Sequence, residues 1–303
     1  MATTFQNIYE DIRTRSKLKE SDDTMIKGYV NDKYKLIANK YPWLWLYETT
    51  TLVTTAKYNT GTISTDGTPT IPGIGTMFTS AMVGRKFKAV GFEEIYTIAA
   101  FVSTTEITLD NNFNGDDISD GSYEIFQDLM SLPSDLDSIV SLKQHLTPIK
   151  IDPIGIRELE RYDPSSNLTT TDPLKYAYTE VDSSGNKQII LYPPPYRAMI
   201  LDLKYKKQIT ELSADDDEPL IPEQYRQILK WGVMSDVFVN QKNDPRWLVA
   251  DKTYRELLSD MLGLIKNTDD VMQFELENKR NRGLSLQEVI NTGCCDFDTF
   301  AKW

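Results

Sequence analysis

The sequence predicts an α+β fold with four parts: a helical frame built from an N-terminal helix pair and a C-terminal helix hairpin, a small sheet, an inserted small β-barrel or sandwich domain, and an extended C-terminal arm. Three observations lead there. Apolar residues recur at helical spacing towards both ends of the chain. Residues 59–128 hold 8 of the 15 glycines, with short β-type runs between them. Beyond Asn267 no sustained period returns.

At 303 residues, 40% apolar and 11% aromatic, the chain is long enough and apolar enough to bury a substantial core. No stretch approaches the roughly 20 apolar residues that cross a bilayer, and Met1 to Tyr9 lack the basic and apolar regions of a secretory leader. The two cysteines, Cys294 and Cys295, are adjacent, which excludes a disulfide framework and fits a reducing compartment.

Phe5, Ile8, Tyr9 and Ile12 predict a short amphipathic helix. A second is expected after Ser21 as cap, with Asp22 and Asp23 in its first turn and a stripe of Ile26, Tyr29, Val30, Lys33 and Ile37. Pro42 ends it, because proline disfavours the helical conformation of Tyr41. The aromatic and β-branched run from Trp43 to Thr55 reads as a strand. In the glycine-rich middle, strands are expected at 85–90, 95–101, 106–109 and 122–126. Between 134 and 221 only 188–192 and 199–205 stand out as strands. Pro222 is placed as the opening residue of a helix carrying Tyr225, Ile228, Leu229, Gly232, Asp236 and Val239. Asp244-Pro245 starts another, with Trp247, Ala250, Tyr254, Leu257, Leu258, Met261 and Ile265 on one stripe, and 271–280 has weak helical character. Four segments result: 1–58, N-terminal helices and first strand of the frame; 59–128, the inserted β domain; 129–267, frame strands and helix hairpin; and 268–303, the C-terminal arm.

Net charge is −12, and residues 59–128 carry 3 basic against 10 acidic side chains. No Lys/Arg cluster offers the phosphate contacts that direct nucleic-acid readout requires, whereas an acidic wall lets DNA slide past without sticking. Catalytic constellations are equally sparse. His145, the one histidine, has no Gly-x-Ser-x-Gly elbow to serve, so a surface or packing role is expected for it. Glu93-Glu94, Asp116-Asp117 and Asp269-Asp270 read as solvated charge, the first pair pointing to opposite faces of a strand. Asp215-Asp216-Asp217-Glu218 lacks the alternation and glycine of a calcium loop, Gly73-Ile74-Gly75 lacks the third glycine of a nucleotide fingerprint, and Cys294-Cys295 lacks a second ligand pair. Trp43, Trp45 and Tyr47 read as core. The expectation is a protein with no enzymatic activity, no cofactor and no metal.

Two helices, the break Tyr41-Pro42-Trp43-Leu44-Trp45, a Thr-rich strand, then Leu132-Pro133-Ser134-Asp135, Pro222-Glu223 and Asp244-Pro245 follow one another in an order that resembles the head-to-tail adaptor (connector) proteins of tailed bacteriophages. The segment from Gly75 to Phe87, with Tyr96-Thr97-Ile98 and 123–128, resembles a β module of phage structural proteins. The resemblance implies a structural virion protein at the head–tail interface, assembled in the host cytoplasm. It would form a ring, usually of twelve copies, that joins the portal to tail nozzle, tube or fibre proteins. DNA would pass through the lumen without sequence-specific binding, and no membrane would be involved. It also implies a portal-binding arm, for which Leu284, Phe297, Phe300 and Trp303 are the candidate anchors. Alternatives are a tail-tube or tail-completion protein, a carbohydrate- or receptor-binding module resting on Phe78, Phe92 and Phe113 as exposed aromatics, and an enzyme using His145.

Overall fold

The computed structural model describes residues 3–162, 171–242 and 244–263. Its chain divides into two compact units, one formed up to Tyr47 and from Gln208 onward, the other by Glu48–Lys207. The described helices are α1 (Phe5–Ser16), α2 (Asp23–Lys40), α3 (Ile156–Tyr162), α4 (Gln227–Val237) and α5 (Trp247–Gly263).

The first unit is helical. Thr4 caps α1 through its side chain, and Lys17 closes it in the left-handed conformation at φ 53°. The buried stripe is Phe5, Ile8, Tyr9 and Ile12, as the periodicity requires. Ser21 does not cap α2. Residues Glu20–Asp22 form a 3₁₀ turn in which the Asp22 carboxylate accepts from the Lys19 N–H, and the α-helix starts one residue later. Tyr34 joins the α2 stripe, while Lys33 leaves the core to pair with Asp236 at 2.8 Å. Tyr41 turns extended, as Pro42 demands. The strand expected from Trp43 begins only at Tyr47, because Leu44–Leu46 make a 3₁₀ turn. Pro222 likewise precedes a 3₁₀ turn, Glu223–Tyr225, ahead of α4. α4 is apolar on most of its circumference and buries Ile228, Leu229, Gly232, Val233, Met234 and Val237, so it is the central helix, touching α1, α2 and α5. Gly232 lets its neighbours approach closely: a Cβ would stand 3.0 Å from the Tyr254 ring on α5 and 3.1 Å from the Lys33 side chain.

The second unit is β-rich. Its strands are β1 (Tyr47–Val53), β2 (Thr62–Thr65), β3 (Thr70–Ile74), β4 (Lys86–Ala89), β5 (Tyr96–Ser103), β6 (Glu106–Leu109), β7 (Ile118–Gly121), β8 (Tyr123–Phe126), β9 (Leu129–Ser131), β10 (Leu136–Gln144), β11 (Asp152–Pro153), β12 (Lys175–Val181), β13 (Lys187–Tyr192) and β14 (Ile200–Lys207). Seven form one sheet in the order β7-β2-β3-β6-β5-β4-β8. Its two edge strands, β7 and β8, are separated in sequence by Ser122 alone, so the sheet must curl until its edges meet. Tyr58 exchanges two 2.8 Å backbone bonds with Ile125 of β8, and the chain then continues into β2 beside β7. The barrel interior is Ile63, Ile71, Phe78, Phe87, Ile98, Ile107, Leu109, Phe113, Tyr123 and Ile125. The exposure expected of Phe78 and Phe113 is therefore wrong: they are 1% and 4% exposed, and Phe92 packs against the same core.

The remaining strands make a sandwich. A three-stranded sheet, β1-β14-β10, and a four-stranded one, β11-β12-β13-β9, share a core. Leu136 and Leu142 of β10 and Leu201, Leu203 and Tyr205 of β14 meet Tyr176, Ile189 and Leu191 of β12 and β13. Of these strands the sequence announced β13, β14 and part of β1; β10 and β12 were not anticipated.

Candidate functional site

None of the four candidate anchors, Leu284, Phe297, Phe300 and Trp303, lies within the described residues; nor do Asp269, Asp270, Cys294, Cys295 or 271–280. The remaining candidates can be placed. His145 Nδ1 lies 2.8 Å from Asp202 Oδ1, and Lys143 Nζ lies 3.7 Å from the other oxygen of that carboxylate. Among the described residues, the hydrogen bond made by this ring is to the Asp202 carboxylate. It forms a polar cluster across β10 and β14 on a half-exposed surface.

Glu93 and Glu94 are not on a strand. They sit in the loop before β5, where Glu94 accepts from Tyr96 Oη at 2.5 Å and from Asn114 Nδ2 at 3.0 Å. Those two donors hold its carboxyl below the ordinary range, which marks a loop tie between 94 and 114. The acidic run is also structural. Asp215 accepts from Lys27 Nζ at 2.8 Å and Tyr9 Oη at 3.1 Å, and these bonds depress its pKa. Asp217 accepts from the backbone N–H groups of Ser213 and Ala214 at 2.6 and 2.8 Å, with the same effect, and Glu218 meets Arg226 at 2.9 Å. Three of the four acids thus already have partners in the protein. Among the described residues no group of three or more His, Cys, Asp or Glu side chains is arranged to hold a metal.

Trp43 is buried, donates Nε1–H to the Ile37 carbonyl at 2.6 Å and stacks on Trp45 with centroids 6.2 Å apart. That is packing, as expected. Gly73-Ile74-Gly75 closes β3 in a turn against Gly61, whose φ is +80° and where a Cβ would fall 2.4 Å from the Ile74 carbonyl oxygen.

Sequence reasoning overlooked the surface where two sheet edges approach. Thr51–Thr55, at the end of β1, and Gln127 with Leu129–Ser131, around β9, border a groove of about 350 Å³. The Gln127 side chain spans one end, accepting from Thr55 Oγ1 at 2.8 Å and donating to the Leu129 carbonyl at 3.0 Å.

The geometry thus defines packed helices in one unit and packed sheets in the other, with an open strand edge beside the groove. The family model for the SU10 adaptor protein matches residues 3–281, and the chain belongs to that family. It is therefore a structural protein of the phage adaptor class, a component of the virion. No curated protein sequence matches the chain. No helix among the described residues is long and apolar enough to cross a membrane.

Proposed function

We propose that the protein is the head-to-tail adaptor of its phage: a ring of copies, twelve in the usual arrangement, seated between the portal and the tail machinery with the genome passing through its lumen. The family match over 3–281 carries this reading. The helical unit supplies a rigid frame, and the charge of −12 supports a passage through which DNA moves without being gripped. The four-segment organisation belongs to the same proposal, with the barrel in 59–128 as an appended module and 268–303 as the arm through which Leu284, Phe297, Phe300 and Trp303 engage the portal. The glycan-platform alternative loses its support, because Phe78 and Phe113 are core residues.

The test is the native mass of the full chain with and without its portal, combined with limited proteolysis. The expected outcome is a portal-dependent ring in which cleavage within 268–303 is suppressed. A chain that remains monomeric alongside portal, or an arm digested equally in both conditions, refutes the reading.

A further inference from the structure

On one side of the sandwich, β1 and β9 are edge strands: among the described residues β1 is hydrogen-bonded to β14 alone and β9 to β13 alone, and both border the groove of about 350 Å³. An antiparallel ladder turns alternate residues' N–H and C=O groups away from the partner strand. Thr54 donates its N–H to Met199 on the β14 side, so Val53 and Thr51 turn theirs outward. Leu52 and Met130 line the groove and pack onto the core that contains Leu191. Edge strands are ordinarily shielded by charge, proline or a bulge. Here Val53 is 65% exposed, and none of the eleven groove residues is ionisable although 26% of the chain is charged. Such an edge fits an uncharged extended segment that adds as a further strand.

The sequence beyond Gly263 contains one segment of that chemistry. Val289–Cys295 (VINTGCC) is its longest charge-free run, bounded by Glu288 and Asp296, and Val289, Ile290 and Thr292 are β-branched. Twenty-five residues separate Gly263 from Val289, a tether with roughly 85 Å of extended reach, enough to arrive at an adjacent molecule. We propose that Val289–Cys295 of one copy adds as a strand to the outer edge of β1 in a neighbouring copy, linking the two by main-chain hydrogen bonds with Leu52, Met130 and Leu191 beneath its side chains. The neighbour is supplied by the assembly reading above, on which this inference rests.

Cys294 and Cys295 are the chain's only thiols, so the full-length protein reports on itself. Iodoacetamide labelling of the assembled wild type, followed by mass spectrometry, is expected to be at least about tenfold slower than in the urea-unfolded chain. Val53→Lys, at an exposed position, should abolish that protection while far-UV circular dichroism stays unchanged. As a second arm, Val53→Cys under mild oxidation should give a disulfide-linked dimer on a non-reducing gel, with peptide mapping locating the bond at Cys294 or Cys295. Rings whose thiols react freely, or whose protection survives Val53→Lys, overturn the strand pairing and leave the adaptor reading standing. Protection that persists after dilution to monomers overturns pairing between copies. A chain monomeric with and without portal overturns both.

Discussion

Trp43 offers the sharpest test of how the helical unit is held. Its indole is 1% exposed, lies edge-on to Tyr41 at 5.4 Å, stacks on Trp45 and donates to the Ile37 carbonyl. Ile37 lies in the last turn of α2, where backbone carbonyls have no intrahelical donor, so this side chain satisfies a helix end that would otherwise be buried and unpaired. Two variants separate the contributions. Trp43→Phe keeps most of the ring and strands that carbonyl, costing about 1–3 kcal/mol. Trp43→Ala also opens a cavity, raising the loss to about 3–5 kcal/mol. All five tryptophans fall outside Glu48–Lys207, so tryptophan emission during urea unfolding reports the helical unit by itself. With a urea dependence of about 1–3 kcal/mol per molar, Trp43→Ala should lower the emission midpoint by roughly 1–5 M, with Trp43→Phe between it and the wild type. A midpoint for Trp43→Ala within roughly 0.5 M of the wild type, or a phenylalanine variant as damaged as alanine, would refute the packing argument.

In the barrel, Gly67→Ala meets nothing within 4 Å at φ +76° and should cost only the left-handed strain of about 1–2 kcal/mol, whereas Gly61→Ala adds a clash with Ile74 and should lower the β-sheet melting signal further while leaving the tryptophan transition in place. Asp217 is held below its ordinary value of 3.8 by the Ser213 and Ala214 amides. Its contribution is therefore present above that value and disappears as pH falls through the folded pKa. Asp217→Asn should be less stable than wild type at pH 7 and should lose less on going to pH 3, read from tryptophan-detected urea midpoints. Burial pushes Tyr176, Tyr205 and Tyr254 up to about 12. The stability tied to their neutral phenols is complete below the ordinary value of 10 and is lost as pH rises towards 12, so these three, together with Tyr123, whose buried phenol is pushed up further still, should ionise last in an ultraviolet titration, together with alkaline unfolding. Early ionisation of all the tyrosines in folded protein would contradict their burial.

What the sequence disclosed follows from where each element gets its stabilisation. α1 and β6 were legible because a single stripe or a single apolar run between turns decides them. β2, β3 and β7 read TIST, TIPGI and ISDG, with too few apolar residues to announce a strand; β2 and β3 exist because neighbours on both sides complete their ladders, and β7 because it pairs with β2. β10 was hidden for another reason: register shifts between Leu136 and Ser138 and between Ile139 and Ser141 break the alternation that would have revealed it. The same distinction governs the functional surface. The run 215–218 shows nothing of its structural role in sequence because its partners Tyr9, Lys27 and Arg226 lie elsewhere in the chain. The groove is invisible in sequence because Thr51–Thr55 and Gln127–Ser131 become neighbours only after an entire barrel has folded between them. Its one sequence-level trace is the charge-free run at 49–56, a signal that acquires meaning once the strand edge is known to be open. For a protein that acts by joining surfaces, the residues to seek are those that leave a ladder unfinished, and such residues are set by topology rather than by any local motif.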